Sequence, residues 1–586
     1  MGDVEKHQAQ HLEELERVST KQEDSRNGSL DKIQTHETLA AVDVHNKQAF
    51  KGDDSDGRLG WTVRNWFAAA FLAMLYTGSQ ILLYFTGGSL SYIAVDVGGG
   101  AAVGWIPVAN TLSIAAVCPF VGYLQDLFGK RYIALFGALC LCIGCAVMGT
   151  ANSLGAALVG QAFAGAGAGI GELTGLAGLA ETVPVKHRGY SLAVLTAFVL
   201  PFCPYVLYSE LFSTRYTWRV GAWISLAYNG LTGLGLLLTY FPHAHTRSEG
   251  MSTSATIKRI DFVGGLASIA GLVLFLIALQ AGGNTHPWSS AYVLATFLIG
   301  LALIAFWVLW EAKFAKHPMI PRQLFKGQKV VGLAYGVAFV AGMNFFSLLN
   351  FWPLTISHVY DPVPVQIGLR GISVGFGTAV GAIFWNALLS TFPAHCKWIL
   401  FISAGILTAF GGALASMTPN NVVSTVAIGT AASFGLGGVI VPAATVAMIA
   451  APDALITTAA ALSLSVRAVG GSIGYSIYYN VFKKKLTAKL PALVGTYAVA
   501  AGLNPESAVD FVTVYATLGA EAAAEIPGVT ARVLEGALTG SQWAYAESLH
   551  YVWYTSIAFG TCAMIFSILI GNTARFQTNR IAVELS

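Results

Sequence analysis

Apolar runs of bilayer length follow one another through most of this 586-residue chain, and they constrain its fold more than any other feature. A helix needs about 20 apolar residues to cross a bilayer. Fourteen runs meet this criterion, at residues 63–86, 104–124, 131–151, 154–179, 190–210, 220–241, 261–281, 289–311, 329–351, 365–391, 397–417, 422–450, 456–481 and 551–571. The pattern predicts an all-α polytopic membrane protein with about 14 transmembrane helices.

The distribution of charge predicts which way the helices face. Only 11% of the residues are charged, against roughly 25% in soluble domains. Basic residues gather in alternate loops, around Lys130, Lys186, Lys258 and Lys313. Because short basic loops stay in the cytoplasm, and because an even number of spans returns the chain to the same side, we expect both termini to be cytoplasmic. The polar residues 1–60 are expected to form a disordered cytoplasmic tail.

A short polar turn joins the second and third runs with a distinctive spacing. It carries Gly122, Asp126, Gly129, Lys130 and Arg131. Glycine permits close helix approach and a sharp bend, and a carboxylate can meet basic side chains or a helix N-terminus. This spacing resembles the loop between the second and third helices of major facilitator superfamily transporters, which implies a cytoplasmic gating role; the alternative is an ordinary cytoplasmic turn.

We expect Asp126 to act as a latch, which means that it would contact the chain near the start of the thirteenth run when the cytoplasmic side closes. Asp453 stands just before that run and is the expected cap of its helix. The like charges of the two carboxylates would then oppose each other.

The fourth run combines close glycines with one carboxylate at depth. Its small residues predict close helix packing, and they are Gly165, Gly167, Gly169 and Gly171. Glu172 follows them, and an ionisable residue in a span is a functional candidate because its burial is costly. We hypothesise that Glu172 takes up and releases the coupling proton; the alternative is a helix-packing residue that stays neutral or reaches the interface.

The thirteenth run places Arg467 before three glycines, Gly470, Gly471 and Gly474. This resembles an Arg-x-x-Gly-Gly-x-x-Gly pattern of fourteen-span drug antiporters. Arg467 could hold an anionic substrate group or pair with a carboxylate, and a purely structural role is the alternative. Arg370, early in the tenth run, is a further charged candidate unless it reaches outward to the interface.

The loop at 317–325 resembles the one that follows two extra helices in fourteen-span members of the superfamily. The resemblance implies two six-helix halves with their substrate site at the interface. The implied regions are a cytoplasmic tail at 1–60, an N-terminal half at 61–241, an inserted helix pair and loop at 242–328, a C-terminal half at 329–575 with an external loop at 482–550, and a cytoplasmic tail at 576–586.

The superfamily resemblance also implies which spans line the substrate cavity, namely the first, fourth, ninth and twelfth. These spans offer Tyr76, Gln80, Tyr84, Gln161, Asn344, Phe346 and Asn350. Few charges and many aromatic rings suit a bulky, largely uncharged ligand. For any single aromatic residue, packing or lipid contact is the alternative. Gln161 stands where the superfamily commonly has an arginine associated with proton transfer.

Three stretches resemble one branch of the superfamily more closely, at residues 96–131, 180–189 and 347–371. Together they are similar to the fungal trichothecene efflux pumps and the neighbouring siderophore transporters. This resemblance implies a fungal plasma membrane and no bound cofactor. The first run lacks the acidic motif of fourteen-span drug antiporters, and the fifth keeps Pro204 without the antiporter glycines, so the direction of transport stays open.

The expected function is proton-driven export of hydrophobic toxins or secondary metabolites by alternating access. The alternatives are siderophore-iron uptake by proton symport and a membrane sensor that does not transport. The sequence contains no P-loop and no catalytic nucleophile motif, so we expect no enzymatic activity. Cys140, Cys142 and Cys145 do not share a helical face, which favours packing over a metal site. Expected partners are the bilayer, protons and a small molecule, with no nucleic acid, and the protein is expected to be a monomer.

Overall fold

The structure is a computed structural model, and it describes residues 60–243, 256–325, 329–360, 363–579 and 581–585. The tail predicted at residues 1–60 lies outside this range except for Gly60. Within the described residues, fourteen helices are long and apolar enough to cross a membrane. The prediction of an all-α membrane fold is therefore confirmed.

The fourteen helices are numbered here in chain order. They are α1 Val63–Gly88, α2 Ala102–Phe128, α3 Lys130–Gly149, α4 Leu154–Glu181, α5 Val185–Arg215, α6 Arg219–Thr239, α7 Phe262–Ala281, α8 Ala291–Phe314, α9 Val330–Tyr360, α10 Pro364–Thr391, α11 Pro393–Ser416, α12 Val422–Ala450, α13 Asp453–Ala500 and α14 Ala531–Leu569. Shorter helices are Leu90–Val97, Ala508–Leu518 and Ala520–Ala524. Two strands, β1 Pro242–His243 and β2 Glu584–Leu585, pair antiparallel.

The helices pack as two groups of six. Helices α1 to α6 form the N-terminal half, with α4 packed on α1, α2 and α3, and helices α9 to α14 form the C-terminal half, with α12 packed on α9, α10 and α11. The halves meet along two seams, α2 with α13 and α5 with α10. The pair α7 and α8 pack on each other, and α7 also contacts α2 and α13.

Local sequence explains several helix boundaries. Gly129 has a φ of 86°, a left-handed conformation that glycine adopts easily, and it separates α2 from α3. Asp261 caps α7, since its carboxylate accepts a 2.8 Å hydrogen bond from Gly264 N. In α5, Pro201 and Pro204 interrupt the regular helix between Ala197 and Tyr205. We call the end of the bundle that holds Gly129 the loop face, and the opposite end the far face.

The last two spans are longer than their apolar runs. Helix α13 continues unbroken to Ala500, and α14 begins at Ala531. The far-face region at 482–550 is therefore largely helical, and it has a small apolar core that includes Val494, Phe511 and Val533. An apolar run measures the membrane crossing, whereas lysine, leucine and alanine continue a helix beyond it.

Candidate functional site

A cavity lies between the two halves and is lined by residues from α1, α2, α4, α5, α9, α10, α12 and α13. Its walls are mostly apolar and aromatic, and the aromatic residues are Tyr76, Tyr84, Tyr205, Phe345, Phe346 and Trp352. Gln80, Ser79 and Thr111 add polar groups. Such a lining suits a ligand held by ring contacts and a few hydrogen bonds.

Two charged residues line this cavity, and they bind each other across the seam. Arg467 Nη2 of α13 donates a 2.5 Å hydrogen bond to Glu172 Oε1 of α4. The side chains are 14% and 4% exposed, so both charges are largely removed from solvent. A buried pair of this kind tolerates the loss of one partner poorly. A change in the charge of either residue therefore changes the attraction between the halves.

The polar residues of α1 form a row that faces the cavity. Tyr76, Gln80 and Tyr84 are four residues apart and therefore share one side of the helix. Tyr84 donates its hydroxyl proton to Gln80 Oε1 at 2.5 Å, and its ring stacks on Tyr205 at 4.9 Å between centroids. The stacked rings of Tyr84 on α1 and Tyr205 on α5 therefore form an aromatic surface beside the hydrogen-bonding side chain of Gln80.

Four other candidates lie outside the cavity lining. Gln161 is fully buried, donates to Thr86 Oγ1 at 2.6 Å and accepts from Asn110 Nδ2 at 3.0 Å. Asn344 accepts a 3.0 Å hydrogen bond from Tyr478. Here polar side chains between helices satisfy one another instead of facing a ligand.

Asn350 and Arg370 are the other two candidates outside the lining. Asn350 is exposed, and its amide donates to the Phe346 carbonyl at 2.7 Å, whereas Phe346 itself lines the cavity. Arg370 is half-buried beside the lining residue Gly371. Helix rotation, which the sequence does not define for a uniformly apolar span, decides which neighbour faces the cavity.

The glycines of α4 and α13 lie where helix backbones touch. A Cβ at Gly165 would stand 2.3 Å from the Asn110 carbonyl oxygen, and one at Gly470 would stand 2.1 Å from the Phe339 carbonyl oxygen. A Cβ at Gly167 or Gly474 would likewise stand 2.6 or 2.7 Å from a backbone atom of the neighbouring helix. At Gly169 and Gly471 the nearest atoms are side-chain atoms, at 3.1 and 2.1 Å, and at Gly171 the nearest atom lies at an ordinary contact distance of 3.4 Å. These contacts fix α4 and α13, and with them the backbones that carry Glu172 and Arg467.

At the loop face, Asp126 of α2 binds the start of α13. Its Oδ2 accepts from Thr458 N at 3.0 Å and from Thr458 Oγ1 at 2.5 Å. The first turn of a helix has free N–H groups, so Asp126 caps α13 from the other half. Gly122 allows the approach, because a Cβ there would lie 2.3 Å from the Ala461 Cβ.

The expectation that Asp453 caps this helix is wrong. Helix α13 opens with a 3₁₀ turn at Asp453–Leu455, and Leu455 occupies the N-cap position of its α-helical part, which starts at Ile456. The Asp453 carboxylate instead lies 3.7 Å from Arg188 Nη2.

Two further charged residues of the loop face were not singled out from the sequence. Glu181 pairs with Lys130 at 2.6 Å, and both side chains are buried. Arg188 is fully buried and donates to the Ala180 carbonyl at 3.0 Å and to the Met448 carbonyl of the opposite half at 2.7 Å. The sequence did carry a signal for Glu181 and Arg188, because both are charged residues that flank the turn between two spans. Arg131 lies with its guanidinium 3.6 Å from the centroid of the Phe241 ring.

On the far face, Asp96 joins a small polar cluster. Trp218 Nε1 donates to its carboxylate at 2.8 Å, and Arg219 forms an ion pair with it. These two partners hold the pKa of the Asp96 carboxyl below its usual value. The cluster ties the short helix Leu90–Val97 to the start of α6.

Across the described ranges, no group of three or more His, Cys, Asp or Glu side chains has an arrangement that could hold a metal ion. What the cavity offers is therefore aromatic surface, isolated hydrogen-bonding groups and one ion pair. This arrangement can bind a small molecule.

Comparison with known proteins identifies the family. The chain is 28% identical over 419 residues to the efflux pump aflT of Aspergillus parasiticus, covering 70% of this chain and 78% of that protein. It is 25% identical over 465 residues to the MFS-type efflux transporter ffsH of Aspergillus flavipes, covering 78% of each. The trichothecene efflux pump TRI12 of Fusarium sporotrichioides is 22% identical over 528 residues, 88% of this chain and 87% of that protein.

Among solved structures, the major facilitator proton:xylose symporter XylE aligns with 80% of this chain and 98% of its own, at 14% identity and a TM-score of 0.49. The sequence model of the fungal trichothecene efflux pump family matches residues 61–585. The chain therefore belongs to the fungal trichothecene efflux pump family of the major facilitator superfamily.

Proposed function

We propose that this protein is a secondary active transporter that exports bulky, largely uncharged toxins or secondary metabolites by alternating access, coupled to protons. The observation that carries the proposal is the cavity between the halves, in which the charges of Glu172 and Arg467 bind each other. The relatives named above are efflux pumps, which favours export over siderophore uptake.

The lining argues for the class of substrate. Because Glu172 and Arg467 neutralise each other, a charged ligand would have to displace one partner from the other. A neutral polycyclic molecule can instead place its rings against Tyr84, Tyr205 and Trp352 and its oxygen atoms near Gln80. Toxins that combine a rigid apolar skeleton with a few oxygens fit this chemistry.

The ion pair supplies the proposed coupling. A proton on Glu172 would remove its negative charge and weaken the hydrogen bond from Arg467, which joins α4 of one half to α13 of the other. Protonation would then lower the cost of moving the halves apart, and loss of the proton would restore the attraction.

We assign the loop face to the cytoplasm, because the basic turns that include Lys130 and Lys186 lie there. Both termini would then be cytoplasmic, in a monomer of the plasma membrane. In this assignment the contacts of Asp126 and Arg188 close the cytoplasmic side. The conformation would be the one that releases an exported ligand outside the cell.

The test is the time course of labelled trichothecene in cells with and without the protein, before and after collapse of the proton gradient. A parallel arm follows a ferric siderophore. We expect lower retention of the toxin only with the gradient intact, and unchanged iron content. Higher iron content would reverse the direction of transport, and toxin retention that ignores both protein and gradient would refute the proposal.

A further inference from the structure

The chain after α14, which we call the tail (described residues 570–579 and 581–585), crosses the loop face from the C-terminal half to the N-terminal half. We propose that the tail is a strap that holds the two halves together at the loop face and has to leave the N-terminal half each time that face opens. The inference rests on the alternating-access part of the proposed function.

The first part of the tail stays on its own half. Thr573 Oγ1 donates to the Pro393 carbonyl at 3.2 Å, and Gln577 Nε2 donates to Cys396 Sγ at 3.5 Å. Pro393 and Cys396 both belong to the start of α11. These contacts lie within the C-terminal half, so relative motion of the halves does not stretch them.

The second part of the tail binds the ends of helices in the other half. Lys186 N donates to the Thr578 carbonyl at 3.1 Å, and Val583 N donates to the Glu181 carbonyl at 3.1 Å. Glu181 is the last residue of α4, and Lys186 lies in the first turn of α5. The tail therefore satisfies backbone groups that helix ends leave without partners inside the helix.

Residues 584–585 form the attachment that lies furthest along the chain from α14. Strand β2 pairs with β1, with Leu585 opposite Pro242, and Asn65 Nδ2 of α1 donates to the Leu585 carbonyl at 3.0 Å. Val583 is buried, and Phe576, Ala582 and Leu585 pack against the main apolar core. The tail is thus seated by side chains as well as by its backbone.

The position of these contacts gives the strap its effect. Those on the N-terminal half involve the ends of α1, α4, α5 and α6, whereas the tail is rooted in α14. They cross the same face that Asp126 closes through Thr458. Once the halves part and water reaches these helix ends, water can replace the tail there, so attachment favours the closed face without making it permanent.

A cross-linking experiment tests whether the strap has to detach. In P242C/L585C, made with C396S so that no native thiol competes beside the tail, a short bifunctional maleimide would join the tail to the N-terminal half. The control is Q577C, whose new thiol can be linked to the native Cys396 within the C-terminal half. We expect the first cross-link to abolish gradient-driven transport and the control cross-link to leave it unchanged. Full transport by cross-linked P242C/L585C would overturn the proposal.

A second measurement needs no substrate. Thr457 is fully buried at the seam, where its hydroxyl donates to Glu181 Oε1 of the opposite half at 3.4 Å. In T457C, the rate of labelling by a maleimide added to the loop face reports how often that face opens. Deletion of residues 581–586 should raise this rate roughly tenfold, the equivalent of one or two net hydrogen bonds.

The two measurements separate the strap from the proposed function. An unchanged labelling rate after deletion would refute the strap, even if toxin export depended on the gradient. A raised labelling rate without any export of toxin would refute the proposed function and support the strap.

Discussion

The contact between Asp126 and Thr458 gives the sharpest prediction, since it joins the two halves through one carboxylate. In D126N an amide replaces that carboxylate with nearly the same shape. In the unsubstituted protein, Asp126 Oδ2 accepts two hydrogen bonds, at 3.0 and 2.5 Å, and the residue is 6% exposed. The substitution removes the negative charge from the start of α13 without leaving a cavity.

The expected magnitude follows from the strength of such bonds. Hydrogen bonds to charged groups contribute about 1.5–3 kcal/mol, whereas neutral ones contribute about 0.5–1.5 kcal/mol. With two bonds weakened at Asp126, the closed loop face should lose about 2 kcal/mol relative to the open one. Because 1.4 kcal/mol is a factor of ten, the ratio of closed to open should fall on the order of 30-fold.

The assay is maleimide labelling of T457C, combined with toxin export in the same membranes. The double variant D126N/T457C should be labelled much faster than T457C alone. It should also export poorly, while its amount in the membrane stays the same. The control is D510N, the same chemical change at an exposed residue of the far-face region. A labelling rate of D126N/T457C within twofold of the rate of T457C alone would refute the prediction that this carboxylate holds the loop face closed.

Three shorter predictions concern the ion pairs and the glycines. E172Q should lose at least tenfold in gradient-driven export, and equal gradient dependence in E172Q and the parent would contradict the coupling role of Glu172. K130A should lower the stability of the protein in detergent by about 3–5 kcal/mol because Glu181 stays buried without its ion-pair partner. K130M/E181M should recover most of that stability, and an unchanged thermal midpoint in K130A would contradict the prediction. G165A should destabilise by about 1–3 kcal/mol through overpacking, whereas G155A, with open space around it, should not.

The fold was predictable because apolar length is a local property. Each run long enough to cross the bilayer corresponds to one of the fourteen helices, and the ends of α4, α7, α10 and α12 differ from the predicted ones by two residues or fewer. The prediction failed where a helix outlasts its apolar run. Helix α13 extends 19 residues past residue 481, the predicted end: Lys483 to Leu490 favour a helix, and the helix then continues through Pro491 to Ala500.

The site was predictable only in part. Glu172 and Arg467 could each be selected, because a charge inside a span is rare and costly. Their pairing could not, since they are 295 residues apart and belong to different halves. Gln161 shows the converse: a polar residue in a span satisfied by Asn110 and Thr86 has the same sequence signal as one that faces a ligand.

Polar contacts cross the seam between the halves beside close glycine contacts, and these polar contacts bear on how such a protein can move. Within a half, glycines such as Gly165 bring backbones together, and separating them would expose surface that has no other partner. Across the seam, Gly122 and Gly189 also approach the other half closely, and Glu172, Asp126 and the tail add hydrogen bonds and charges. In the proposed mechanism, a proton on Glu172 weakens the first of these contacts, and water replaces the other two when the seam opens. We infer that each half stays rigid while the seam opens, and that the proton, the contact of Asp126 and the tail act on one equilibrium.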